Sequence, residues 1–341
     1  MGIFANPLTD LLEYEDFSRD FLKGTDPVGM TGCIDSEKVH FMSTFLGEKK
    51  VQLVVTYNEQ RAREIEEDYK LFCSQVYVIP PRDLIFFSAD LQGNAIIAER
   101  MKAFAALYQN EAKVIITTMD ALMSAAVPFE QLMSHVIKLK EGDELDLEKL
   151  KHDLTVMGYE RVGRVEEPGQ FTVHGGIADV YPLTMEVPVR IELWGDEIDT
   201  IRCFEPQSQR SMDQIECVSV FPAAEVIADD TARRRAVGMI QNELESQLAV
   251  FKKAKEPDKA KRLREETNRI LEALGEDVVL EAPDSYISYF YPRTVQLSEY
   301  FDEKNTLVFL DEPMRLKEHG DGVQAEFEES MKNRLEQGFL L

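Results

Sequence analysis

Two short segments of this 341-residue chain carry residue types that could bind and hydrolyse a nucleotide. In the first, Gly29, Gly32 and Ser36 have the spacing of a phosphate-binding loop, in which backbone N–H groups cradle the phosphates and a hydroxyl binds Mg²⁺. Ile34 stands where such a loop needs its last glycine, and Asp35 stands where it needs a lysine. Isoleucine resists a positive φ and a carboxylate repels phosphate, so both changes oppose phosphate binding. Because of a second segment, we interpret the loop as vestigial rather than as a coincidental glycine-rich turn.

The second segment is LVFLDEP, Leu307–Pro313, in which a strand ends in Asp311 and Glu312. Nucleotide hydrolases hold Mg²⁺ and orient the attacking water at such a strand end. Charged strand ends are common, so this dipeptide is informative only together with the loop. Since the loop offers the two carboxylates no lysine partner, we predict no catalytic residues, no metal, no cofactor and negligible ATP hydrolysis for this chain.

The elements that would position both segments indicate an α/β domain. Val51–Thr56, Val76–Ile79 and Lys113–Thr118 are continuous apolar runs, which is typical of parallel strands buried on both faces. Helical segments separate these runs, and Asn58 is placed to cap one of them. The strand Thr306–Glu312 most economically joins the same sheet, which predicts a doubly wound fold.

Between these strands, the block Tyr159–Glu205 contains four β-rich runs. Turn signals separate the runs at Pro168-Gly169, Gly175-Gly176, Pro182–Pro188 and Gly195-Asp196. This pattern predicts a small antiparallel sheet of hairpins. Polar and apolar residues alternate, so one face of the sheet is free to contact a partner. The block holds no nucleophile, metal cluster or phosphate loop, which favours a docking surface over an active site.

A helical hairpin is predicted after the β-rich block. Asp230 or Thr231 can cap a helix that reaches Lys255, and Pro257 starts a second helix that Gly275 ends. The chain is thus divided into 1–137, the first part of a degenerate phosphate-loop α/β domain; 138–222, an inserted β-rich domain; and 223–341, the hairpin with the returning part of the α/β domain.

Composition narrows the classes of function. The formal net charge of −25 is a poor match for nucleic acid, whose binding depends on phosphate neutralisation. The locally basic run Lys252–Glu266 is interpreted as a solvated helix, because no aromatic residues interleave to stack bases. The four cysteines lack metal-site spacing, which predicts free buried thiols. The acidic N-terminus and the absence of an apolar run near ~20 residues predict a cytoplasmic protein without membrane contact.

Four stretches together carry a resemblance to a known family. The chain resembles the N-terminal region of the bacterial transcription–repair coupling factors, which is the part similar to the excision-repair protein UvrB. The stretches are VTYNEQRAREIEEDY, GYERVGRVEEPGQFTVHGGIADVYP, PVRIELWGDEIDTIRCFEPQSQRS and the terminal LVFLDEP. The resemblance covers essentially the whole chain and implies a UvrB-like parallel-sheet domain with a small inserted β domain.

The resemblance also implies a function. The full-length protein is expected to be an ATP-dependent DNA translocase that displaces stalled RNA polymerase and recruits excision repair. Its motor, which uses ATP and Mg²⁺, lies C-terminal to this region. The β-rich domain is expected to bind UvrA, and a C-terminal domain of the same protein is expected to mask that surface at rest.

Contact residues for UvrA are implied position by position. Arg161 matches an arginine at the start of the UvrB module, and Arg190 with Glu192 matches a charged pair on a later strand. On the strand between, two arginine positions of UvrB are occupied by Thr172 and His174, and the flanking Phe171 matches well. We expect these residues to share one docking face of the sheet. Trp194, the sole tryptophan, is predicted to belong to the hairpin core rather than to an exposed anchor.

Two other functions remain open from the sequence. One is a UvrB-like ATPase that acts on DNA, which would require nucleotide affinity despite Asp35. The other is a direct DNA-binding module that uses the basic hairpin, which would show a steep dependence of duplex affinity on salt.

Overall fold

The structure is a computed structural model that describes residues 8, 14–24, 26–82, 92–275 and 286–341. The described helices are α1 Tyr14–Lys23, α2 Asp35–Ser43, α3 Glu59–Lys70, α4 Gln92–Tyr108, α5 Met119–Met123, α6 Phe129–Met133, α7 Leu147–Val156, α8 Asp230–Ala254, α9 Pro257–Gly275, α10 Ile287–Phe290 and α11 Pro313–Gln337. The described strands are β1 Val51–Thr56, β2 Val76–Ile79, β3 Val114–Thr118, β4 Ala125–Ala126, β5 Ile137–Lys140, β6 Glu160–Arg161, β7 Gln170–His174, β8 Ile177–Val180, β9 Val189–Trp194, β10 Glu197–Phe204, β11 Ser211–Gln214, β12 Cys217–Val220, β13 Val295–Gln296 and β14 Thr306–Leu310.

The chain folds as two compact units. The first comprises residues 1–81, 106–122 and 301–320, and the second comprises residues 82–105, 123–300 and 321–341. The predicted inserted segment 138–222 lies wholly within the second unit. The division of the chain into three domains stays a prediction.

The first unit is built on a four-stranded parallel sheet in the order β14-β1-β3-β2. Every residue of β1 and β3 is buried, as the continuous apolar runs predicted. The late strand β14 pairs in parallel with β1, so the prediction that it joins this sheet is confirmed. The mixed α/β class is therefore confirmed, and the carboxyl ends of β1 and β14 meet at one edge.

Helix α3 packs on this sheet in the way that its sequence predicted. The Asn58 side chain accepts a hydrogen bond from the Arg61 N–H at 2.8 Å and so caps the helix. Ile65 and Tyr69 are fully buried on the inner face of α3. The Tyr69 hydroxyl donates to Gln52 Oε1 at 2.8 Å, which satisfies a polar group inside the core.

The second unit contains a six-stranded sheet in the order β11-β10-β9-β8-β7-β6. Its inner face packs against α7 and the two-stranded sheet β5–β12. The neighbouring strands from β7 to β11 are antiparallel, as the turn signals predicted. The first run is different, because β6 pairs with β7 in parallel. The chain between β6 and β7 carries Val162 and Val165, which pack against Tyr181 and Phe204.

The predicted helical hairpin is confirmed as α8 and α9, with one correction at its start. Asp229, rather than Asp230 or Thr231, caps α8, because its carboxylate accepts a hydrogen bond from the Ala232 N–H at 2.7 Å. Lys255 ends α8 in the left-handed region at φ 59°, and Pro257 begins α9.

In the described part of the chain, no helix is long and apolar enough to span a bilayer, and no three His, Cys, Asp or Glu side chains are grouped as metal ligands. The thiols of Cys33, Cys73, Cys203 and Cys217 are free. They are not buried as predicted, since three are half-buried and Cys217 is exposed.

Candidate partner-binding face and the centre of the parallel sheet

A cluster of charged side chains fills the edge where β1 and β14 end. Asp311 is buried there, with a side-chain exposure of 2%, and its backbone N–H donates to the Val55 carbonyl. Its Oδ1 accepts from Lys38 Nζ at 3.0 Å. Its Oδ2 accepts from Arg61 Nε at 3.2 Å and from the Thr56 hydroxyl at 3.1 Å. Both carboxylate oxygens of Asp311 are therefore engaged inside the protein.

The glycine-rich loop offers Asp311 and Glu312 no lysine, but a lysine outside the loop contacts both. Lys38, from helix α2, hydrogen-bonds to both carboxylates. It was missed because it lies three residues beyond Asp35, outside the spacing of a phosphate loop. One helical turn nevertheless brings its ammonium to the strand end.

Electrostatics hold this cluster charged. Burial lowers the pKa of Lys38, but hydrogen bonds to Glu312 and Asp311 outweigh it, so the net pKa lies above the ordinary lysine value. Burial also lowers the pKa of Arg61, but its contacts with Glu64 and Asp311 outweigh this effect, so the net pKa lies above the ordinary arginine value. A Mg²⁺ ion at Asp311 would have to displace the side chains of Lys38 and Arg61. The cluster therefore suits ion pairing rather than metal binding.

The glycine-rich segment leads directly into α2. Gly32 has a φ of +90°, while Ile34 lies in the extended region at φ −82° and precedes the first helical residue, Asp35. Residues 26–34 contain no strand, so the segment lacks the preceding strand of a phosphate loop. Gly29 and Ser36 are exposed, and Asp35 contacts Arg61 at 3.3 Å. The assignment as a degenerate phosphate loop stays a prediction.

In the second unit, alternation along the strands separates two faces of the six-stranded sheet. Phe171, Val180 and Val189 are aligned across β7, β8 and β9 and point into the core. The residues one position away point to the opposite face, which we call the outer face. Its central rows are Thr172, Asp179, Arg190 and Arg202, and His174, Ile177, Glu192 and Thr200.

The predicted contact residues do not form one set. His174 is exposed on the outer face, and Thr172 lies on the same face but is 6% exposed. Phe171 is fully buried in the core, so its side chain offers no surface to a partner. The exposed Arg161 is in register with Phe171 at the edge strand β6, so it does not share the outer face. The expectation of a single face for all six residues is therefore wrong.

Arg190 and Glu192 are on the outer face but are already engaged. Two guanidinium nitrogens of Arg190 donate to the two oxygens of Asp179, each at 2.7 Å. This hydrogen bonding raises the pKa of Arg190. The Arg190 guanidinium also lies 4.8 Å from the centre of the Phe204 ring. Glu192 accepts a hydrogen bond from the Thr200 hydroxyl at 3.0 Å.

Sequence reasoning missed Asp179, Phe204 and Arg202. Strict alternation in IADV and IRCF does place these three on the polar side of their strands. The residue opposite Asp179 depends on a register that the eight-residue connection between β8 and β9 does not reveal. The residue opposite Arg202 depends on the register shift between Ile198 and Thr200 in β10.

Comparison with known proteins matches part of the second unit to a described domain family and nearly the whole chain to longer proteins. Residues 137–225 match a family model described as "UvrB interaction domain". The chain is 30% identical to the transcription-repair-coupling factor of Bacillus subtilis (strain 168), over 98% of this chain and 29% of that protein. It is 31% identical to the one of Staphylococcus haemolyticus, over 94% of this chain and 27% of that protein.

The chain is similar to the N-terminal region of transcription-repair-coupling factors. It spans less than a third of the length of these relatives. The matched residues 137–225 include β5, α7, the whole six-stranded sheet and β12. The segment that matches the UvrB interaction domain is thus the one that carries the outer face.

Two further features of this coupling-factor-like chain differ in their outcome. Trp194 is 84% exposed at the β9–β10 turn, so its prediction as hairpin core is wrong. On the hairpin of α8 and α9, Lys259 and Lys261 each pair with a glutamate three or four residues away. This pairing neutralises part of the basic run, in keeping with a solvated helix.

Proposed function

We propose that this chain is the UvrA-recruiting module of a transcription-repair coupling factor and has no catalytic activity of its own. The observation that carries the proposal is the match of residues 137–225 to the UvrB interaction domain, on a sheet whose outer face carries the exposed His174 and Ile177 and the half-buried Arg202. An exposed polar sheet face suits a partner that reads side chains.

In this proposal the rest of the function belongs to the longer protein. A C-terminal motor uses ATP and Mg²⁺ to translocate on DNA and to displace stalled RNA polymerase in the cytoplasm. A C-terminal domain masks the UvrA-binding surface until the motor is engaged. The support is the similarity to coupling factors over nearly the whole of this chain.

The lack of catalysis is supported by the cluster around Asp311. In a nucleotide hydrolase the corresponding carboxylate holds Mg²⁺ and the loop lysine contacts phosphate. Here Lys38 and Arg61 both form ion pairs with the carboxylate of Asp311. No free cation is left at this strand end to receive a phosphate among the side chains that contact Asp311.

A UvrA pull-down with and without Arg161→Glu tests the docking role. Arg161 is exposed, and it has no hydrogen-bond or ion-pair partner among the described residues. We expect the wild-type chain to retain UvrA and Arg161→Glu to lose about tenfold or more in affinity. Lys149→Glu, an exposed change of the same charge on α7, is the matched control and should bind as wild type. A wild-type chain that is folded and fails to retain UvrA contradicts the proposal.

Titration with a non-hydrolysable ATP analogue tests the absence of catalysis. We expect no saturable binding, because Asp35 and the Asp311 ion pairs oppose a triphosphate. Micromolar affinity would instead support a UvrB-like ATPase. A steep salt-dependent affinity for duplex DNA, measured in parallel, would support a DNA-binding role for the basic hairpin.

A further inference from the structure

Arg202 lies on the outer face and is not among the contact residues that the resemblance to UvrB implies. It lies in β10 directly opposite Arg190 of β9. Phe204, two residues further along β10, stacks with Arg190, which places Arg202, Phe204 and Arg190 on the same side of the sheet. Two arginines therefore face each other across neighbouring strands, an arrangement that is destabilising unless the charges are compensated.

Only one of the two charges is compensated. Arg190 is held by both oxygens of Asp179 and by the Phe204 ring. Arg202 forms no hydrogen bond or ion pair with any described residue, and its Nε atom is buried without an acceptor. The chain has 63 acidic and 38 basic residues, so an arginine without a carboxylate is not the default on its surface.

The contrast between the paired Arg190 and the unpaired Arg202 indicates which kind of group Arg202 can bind. A half-buried guanidinium with an unpaired N–H gains most from an anionic oxygen, and its planar fork matches a carboxylate with two parallel hydrogen bonds. Asp179 cannot serve both arginines, because its two oxygens are already used by Arg190. Glu192, the other carboxylate in these two rows, accepts from Thr200 and makes no hydrogen bond to Arg202 among the described contacts, so a docked partner is the source of a carboxylate that we consider.

We propose that Arg202 is an anchor for the docked partner and that it receives a carboxylate from an acidic segment of that partner. This inference rests on the proposed UvrA-recruiting function and names the chemistry of the contact. Arg161 lies at the edge strand β6 in register with the core residue Phe171, so a contact at Arg202 is separate from any contact at Arg161.

The alternative is a purely structural role, in which the aliphatic stem of Arg202 covers the sheet and its charge is irrelevant. Charge reversal, charge removal and conservative replacement separate the two. Arg202→Glu inverts the charge, Arg202→Met keeps the stem, and Arg202→Lys keeps the charge without the fork. Under the structural role the methionine variant should bind the partner as wild type.

The test is a calorimetric titration of the full chain with purified UvrA. We expect Arg202→Glu to weaken binding by tenfold or more, Arg202→Met by a smaller factor, and Arg202→Lys least, with Lys149→Glu unchanged. A glutamate- or aspartate-to-lysine change on UvrA that restores binding to Arg202→Glu would identify the contacting carboxylate. The far-ultraviolet circular dichroism and the urea midpoint of each variant must match wild type for the comparison to count.

The outcomes are distinguishable. If the wild-type chain does not bind UvrA, the proposed function fails and this inference with it. If wild type binds and both Arg202→Glu and Arg202→Met bind equally well, the inference alone is overturned. If Arg202→Glu instead abolishes duplex DNA binding and leaves UvrA binding intact, the anion is a phosphate and the inference is also overturned.

Discussion

The strand end at Asp311 and the outer face of the six-stranded sheet both carry basic and acidic side chains, but these side chains are paired differently in the two regions. At the strand end, Lys38 and Arg61 are both paired with a buried aspartate. On the outer face, Arg190 is paired with Asp179, while Arg202 has no carboxylate among the described residues. The first region has its charges satisfied from within, and the second has positive charge left over.

This difference shows why the region that looks catalytic in sequence is a poor candidate for binding. A fully paired cluster gains nothing from an incoming ligand, because each new contact must replace an existing one. An unpaired arginine on a sheet face gains a contact that it lacks in the free protein. The unpaired arginine on the sheet face is therefore a better candidate for partner binding than the paired cluster at Asp311.

The largest expected effect is at the satisfied region. Asp311→Ala leaves Lys38 and Arg61 without their shared buried carboxylate, which should lower the free energy of unfolding by about 3–5 kcal/mol. Urea denaturation followed by circular dichroism measures it. Glu312→Gln, whose side chain is 46% exposed, is the control and should cost less than about 1 kcal/mol. Equal effects of the two changes would break the contrast.

How far the sequence predicts this contrast depends on the range of the interaction. The parallel strands, the Asn58 cap and the hairpin turns follow from local pattern, and the structure has them. The pairing of Lys38 with Asp311 and of Asp179 with Arg190 joins residues that are distant in sequence or in an unknown register. Phe171 looked like a contact residue by resemblance, but its alternation with Thr172 points it into the core.

A second test extends the comparison to a satisfied pair inside the second unit. Arg100 and Arg82 lie against the buried Glu225. Burial raises the pKa of Glu225, but these arginines outweigh it, so the net pKa is below the ordinary 4.5. We expect Glu225→Gln to lower the free energy of unfolding by about 3 kcal/mol at neutral pH, because it removes the buried negative charge that Arg100 and Arg82 contact.

The pH dependence gives that prediction its sign. A carboxylate with a lowered folded-state pKa stabilises the fold fully above its ordinary pKa of 4.5, and this contribution is lost as the pH falls below it. The difference in urea midpoint between wild type and Glu225→Gln should therefore shrink below pH 4.5. A difference that stays constant down to pH 3 would show that the charge of Glu225 is not what stabilises the pair.

A smaller effect is expected on the outer face itself. Asp179→Asn removes the charge that compensates Arg190 and should lower the free energy of unfolding by about 2 kcal/mol, as for hydrogen bonds between charged groups. Glu192→Gln is the matched control, because Glu192 accepts only the Thr200 hydroxyl in the described contacts. If Asp179→Asn is as mild as its control in urea denaturation, Phe204 rather than Asp179 holds Arg190.

The smallest effect is expected at Trp194. Because its side chain is 84% exposed, Trp194→Phe should change the free energy of unfolding by less than about 0.5 kcal/mol. Acrylamide should quench the fluorescence of this sole tryptophan efficiently in the folded wild-type chain. A protected indole, or a loss of several kcal/mol, would restore the hairpin-core interpretation.

The most direct test of the contrast between the two regions is amide hydrogen exchange of the full chain with and without UvrA. The account predicts slower exchange in peptides from Glu160 to Gln214, above all at the β7–β8 turn and at the edge strands, and no change around Asp311. Protection around Asp311 with none in the six-stranded sheet would contradict it.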